Sequence, residues 1–134
     1  MRFRVSTNEF RANVRKAITL ERERTKRVML DVSKMLEKAA VDRAPVDEGN
    51  LVSSIASRVE AFKRSYAAVV YVASNQHTSA YAIPMHEHFY NLGKNSQEKQ
   101  NKLPGIVVGR RYLARAVEES KQEIVEMVQE ALQL

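Results

Sequence analysis

Cysteine and tryptophan are both missing from this sequence, and its 134 residues hold only four glycines and three prolines. Without cysteine there is no disulfide framework, no thiolate nucleophile and no cysteine-held metal, a composition that suits a reducing cytosol. The fold is therefore expected to hold by packing alone. No apolar run approaches the roughly 20 residues needed to cross a bilayer, and Met1-Arg2-Phe3-Arg4-Val5 lacks the apolar stretch of a secretion signal, so neither a membrane role nor export by that route is expected. The chain also lacks a Gly-x-Ser-x-Gly elbow and a glycine-rich phosphate loop ahead of a helix. Its glycines, at positions 49, 93, 105 and 109, read as turn residues, and neither an enzyme nor a cofactor site is expected.

What the sequence has is charge, unevenly placed. The formal net charge is +6. Residues 1 to 27 carry nine Lys or Arg against three Glu, whereas residues 118 to 134 carry five Glu against one Lys. Such ends attract each other, and the basic excess is suited to nucleic acid, to the acidic helix of a neighbouring copy or to another acidic partner.

The length fits one domain with a modest core. Ser6-Thr7-Asn8-Glu9 has the spacing of a capping box and predicts a helix start. Phe10, Val14, Ala17 and Ile18, then Val28, Val32, Met35, Leu36 and Ala39, recur at helical spacing, and no Gly or Pro interrupts residues 6 to 44. A helix of about 36 residues extends about 54 Å, whereas a compact domain of this length has a radius of gyration near 14 Å. Either it bends near Thr19 to Thr25, or its first half packs on another subunit, which is the favoured reading because the Phe10, Val14 and Ile18 stripe requires burial. Residues 55–90 read as a hairpin and connecting segment: strands over Ile55–Phe62 and Tyr66–Ala73 are joined by Lys63-Arg64-Ser65, and 83–90 or 104–108 are candidates for further extended structure. The polar stretch 91–103 predicts a mobile loop that orders on contact with a partner through Lys94, Lys99 and Lys102. Residues 110–133 predict one amphipathic C-terminal helix. The fold class expected is α+β, with a long N-terminal helix and a C-terminal helix packed on a small antiparallel sheet.

Between the first helix and the hairpin lies Ala44-Pro45-Val46-Asp47-Glu48-Gly49-Asn50-Leu51-Val52-Ser53-Ser54-Ile55. Pro45 disfavours helix at Ala44, and Asp47 and Gly49 supply capping and a permissive backbone, so this 45–54 segment is a joint fixing how helix and sheet meet. The stretch resembles the Ala-Pro-x-Asp-Thr-Gly-x-Leu-x-x-Ser-Ile signature of neck and tail-completion proteins of tailed bacteriophages, also labelled minor tail components. Tyr81-Ala82 and Tyr112-Leu113-Ala114-Arg115-Ala116 match later parts of the family pattern, and the likeness spans about residues 7 to 130. Glu48 stands where the family has Thr, and His86-Glu87-His88-Phe89 stands where it has an acidic residue followed by an aromatic and glycine. The resemblance implies a non-catalytic virion protein, a ring of six copies at the head-tail junction. Its implied partners are portal, adaptor or head-completion proteins on one side and tail-terminator or tail-tube proteins on the other, with DNA passing through the lumen.

The remaining candidates are weighed against plainer roles. His86 and His88, with His77 as a third ligand, are the only cluster suggestive of metal, and ordinary surface histidines are favoured because no helical His-Glu-x-x-His accompanies them. Pro45, Asp47, Gly49 and Leu51 are assigned to the joint. Phe10, Val14, Ile18, Arg22, Arg24 and Arg27 are assigned to an oligomer interface whose cations meet acidic C-terminal surfaces. Arg11, Arg15, Arg22 and Lys26 recur at helical spacing and form the best face for nucleic acid, the alternative function being a small basic DNA-binding protein.

Overall fold

The computed structural model describes residues 6–46, 50–73 and 82–133. Helix α1, Thr7–Arg43, is the element on which the rest packs. Ser6 Oγ accepts the backbone N–H of Glu9 at 3.1 Å, the first half of the predicted cap. The helix then runs unbroken for 37 residues, about 56 Å at 1.5 Å per residue. It stops at Ala44, whose extended backbone is the conformation imposed on a residue before proline. The core follows one ridge of α1: Val28, Val32, Leu36, Ala40 and Ala44, four residues apart, are all buried.

A short helix α2, Asn50–Ser54, follows in the joint, and Leu51 and Ile55 join Ala40 and Ala44 in the core. Strands β1, Ile55–Ala61, and β2, Tyr66–Val72, form an antiparallel hairpin with Ile55 opposite Val72 and Ala61 opposite Tyr66. Period-two alternation turns Ile55, Ser57 and Val59 toward α1, where Ser57 Oγ donates to Glu37 Oε2 at 2.8 Å. Arg58 and Tyr71 lie on the opposite face, the guanidinium 4.8 Å from the ring centroid. One face of the two-stranded sheet is thus covered by α1, as an isolated hairpin requires.

Three sequence expectations are corrected. The 83–90 segment is not a strand: α3, Ala82–Glu87, is helical and carries Pro84 in its first turn, where a missing N–H costs nothing. The stretch 91–103 is not a loop, since α4 occupies Lys94–Lys102. The C-terminal helix is two, α5 (Tyr112–Glu119) and α6 (Lys121–Leu132), broken at the buried Ser120. The break lets Tyr112 and Ala116 cover the C-terminal end of α1 while Ile124, Met127 and Val128 of α6 lie half-buried. Arg43 ties the end of α1 to the end of α5, its Nε and Nη2 reaching Glu119 Oε2 at 3.0 and 2.9 Å. No helix among the described residues is long and apolar enough to cross a membrane.

Candidate assembly surface

Among the described residues, the first half of α1 has almost nothing to pack on. The hairpin tip reaches it at Ile18, Glu21, Arg22 and Thr25, leaving residues 7–17 to project about 16 Å beyond. Val14 is 39% exposed, Ile18 46% and Leu20 56%. The helix runs on without a break and leaves Val14 and Ile18 exposed, so this part of the stripe predicted from spacing is an open surface. Phe10 belongs to the helix, but its side chain lies outside the described residues.

The charges of this projection are equally unspent. Every ion pair among the described residues lies at Lys34 or beyond, so Arg11, Arg15, Lys16, Arg22, Arg24, Lys26 and Arg27 have no carboxylate partner. On α6, Glu123, Glu126 and Glu130 are exposed and unpaired in the same sense. The interface cations expected from sequence do not form one set. At roughly 100° per residue, Arg24 and Arg27 lie roughly 200° and 140° around the helix from Arg22. Arg22 flanks the Val14–Ile18 stripe, while Arg24 and Arg27 point away from it.

At the joint, Pro45 and Leu51 are buried, whereas Asp47 and Gly49 lie outside the described residues. What clamps the joint here is α4, which sequence reasoning missed. Buried Ser96 Oγ accepts from the Val46 N–H at 2.8 Å and donates to the Val46 carbonyl at 3.0 Å. Lys99 Nζ donates to the Val41 carbonyl, and to that of Ala44 at 2.6 Å, satisfying carbonyls that the end of α1 leaves open. Burial holds the Lys99 ammonium below the usual lysine range, with Asp42 pulling the other way. Lys99 is therefore a helix cap and not a partner contact; Lys94 and Lys102 remain exposed. Helix-forming Lys, Gln and Glu without Gly or Pro were the available signal. Because only Ser96 is buried, no apolar period accompanied it.

β2, α3 and α5 line an apolar cleft of about 530 Å³, chiefly through Val70, Val72, Ile83, Leu113 and Val117. His86 stands at its edge. Its Nδ1 lies 2.8 Å from Glu87 Oε1, and its Nε2 accepts the Ala114 N–H at 3.3 Å. Nε2 is the acceptor, so Nδ1 carries the proton and donates to the carboxylate, and that bond holds Glu87 below the usual carboxylate range. His86 thus caps α5, whose own N-cap residue, Arg111, is left-handed and offers no side-chain acceptor. The ring also meets Tyr112 edge-on at 5.0 Å, and Tyr112 Oη donates to the Ala82 carbonyl at 2.9 Å. Both imidazole nitrogens are occupied by protein; His88 is exposed and His77 lies outside the described residues. Among the described residues no group of three or more His, Asp or Glu is placed to hold a metal ion.

Comparison with protein-family models, with curated proteins and with solved structures finds no match for this chain.

Proposed function

We propose that this chain is a structural subunit that works by self-association, assembling into a ring, and that the ring is the neck or tail-completion element joining head and tail of a bacteriophage. The observation that carries the assembly is the α1 projection: an exposed Val14–Ile18 stripe, 39% and 46% exposed, beside cations with no carboxylate partner among the described residues. A helix that presents an apolar stripe to water is stabilised when another surface covers it. A second copy is the occupant in this reading, because the exposed acids of α6 complement the basic projection and two projections meeting each other would set like charges together. Contact between two different surfaces of the same chain is heterologous, and such contacts generate a ring when the rotation from copy to copy closes.

The placement in a virion rests on the resemblance of residues 44–55 and 112–116 to the phage neck family, together with six copies as the expected ring. In that setting the neighbours are portal, adaptor or head-completion proteins above, and tail-terminator or tail-tube proteins below. The exposed Lys94 and Lys102 of α4 are candidate contacts with them. Imaging of intact particles tests the placement: density for this chain at the head-tail junction is the expected result. Its absence from mature particles contradicts the placement.

A further inference from the structure

The hairpin tip brings a second group of cations to the same part of α1, and with it two aromatic rings. Phe62, Lys63, Arg64, Ser65 and Tyr66 close on Ile18, Glu21, Arg22 and Thr25 around a shallow groove of about 240 Å³. Phe62 is 57% exposed, and Lys63 and Arg64 are exposed and make no ion pair among the described residues. The row does not stop at Arg22. Helical spacing sets Arg11, Arg15, Arg22 and Lys26 within an arc of roughly 60°, extending about 22 Å along the axis. No acidic residue of the projection falls inside that arc. The apolar stripe of Val14 and Ile18 borders that arc, and Ile18 itself lines the groove, so a protein neighbour on the stripe and a polyanion on the arc lie side by side.

From this juxtaposition we propose that the groove at the hairpin tip and the Arg11–Lys26 edge of α1 bind the sugar-phosphate backbone of a polynucleotide, with Phe62 stacking on a base where one is unpaired. Three features favour this ligand over an acidic protein. The cations form a line and not a pocket, which matches a linear polyanion of regular charge. They come from two elements converging on one groove, so the Lys63-Arg64 tip adds to the helix row. An exposed aromatic ring sits within that groove, the combination of basic track and stacking platform that serves single strands. Glu21 is the one carboxylate among the described residues that line the groove, and it limits how deeply a phosphate enters.

Fluorescence anisotropy of the full chain with labelled single-stranded and duplex DNA tests the proposal. Engagement of six cations gives a slope of log affinity against log salt of about −5 on duplex and about −4 on a single strand. Between about 50 and 200 mM salt, duplex affinity falls about 10³-fold. The exposed double variant Lys63→Ala/Arg64→Ala is expected to weaken binding and to flatten the slope by about two units. Phe62→Ala is expected to weaken the single strand roughly tenfold and the duplex less. Circular dichroism confirms that each variant keeps its fold, and Val14→Asp run in parallel separates binding from self-association. No binding at about 50 mM salt overturns the proposal, as does binding that the Lys63/Arg64 pair does not affect. If these substitutions change only self-association, the cations serve a protein neighbour and the proposal fails while the assembly reading stands.

Discussion

Gly109 shows how narrowly some single positions are fixed. It sits at φ 129°, a region that side chains with a Cβ avoid, and its N–H donates to the Arg43 carbonyl at 2.8 Å. A Cβ there would stand 3.2 Å from Leu92 Cδ2 and 3.7 Å from Tyr90 Oη. Gly109→Ala is expected to destabilise the fold by about 1–2 kcal/mol, read by urea denaturation. Lys99 gives a prediction in pH. Its folded pKa lies below the usual lysine value because burial disfavours the charge. Between the folded and the usual value, the unfolded chain holds more protons, so stability from this residue rises with pH across that alkaline window. The stability of the wild type relative to Lys99→Met is therefore expected to increase as pH climbs through it, and a flat difference contradicts the desolvated ammonium. At neutral pH, Lys99→Met leaves the end of α1 without its donor and is expected to cost about 1–2 kcal/mol.

At the scale of elements, legibility in the sequence followed apolar period. Helix α1 was readable from its ridge at Val28, Val32 and Leu36 and its stop at Pro45, and the hairpin from alternation about Lys63-Arg64-Ser65. Helix α4 was not readable, because it is held by Ser96, Lys99 and Gln100 donating to or accepting from backbone groups, and such contacts leave no hydrophobic repeat. The break at Ser120 was hidden for the opposite reason: the residue is buried on the same stripe, so spacing counted it as one continuous helix. The role of His86 as a cap for α5 depends on a residue 28 positions away, which no local pattern reports. Of the candidate surface, the stripe and the basic face were legible from helical spacing; the convergence of the hairpin tip on Arg22 was not. If α4 locks the joint, Ser96→Ala should cost about 1–3 kcal/mol, since it strands the N–H and carbonyl of Val46. Hydrogen exchange at Val46 and along the last turn of α1 should accelerate in that variant; unchanged protection there would mean the joint is held by something else.

For the molecule as a whole, the decisive property is an imbalance between the two halves of α1. One half carries the core ridge from Val28 to Ala44, while the other projects an apolar stripe and cations that form no ion pair among the described residues. Substitutions on the projection should therefore leave the stability of the single chain within about 0.5 kcal/mol of wild type, while those on the ridge should not. Leu36→Ala, in the buried ridge, is expected to cost about 2–5 kcal/mol. The most direct test is sedimentation velocity of wild type and Val14→Asp over a range of concentrations, with thermal melts at the lowest of them. A discrete oligomer for wild type, a monomer for the variant and matching monomer stability are predicted; a wild type that stays monomeric at the highest concentration would contradict the account.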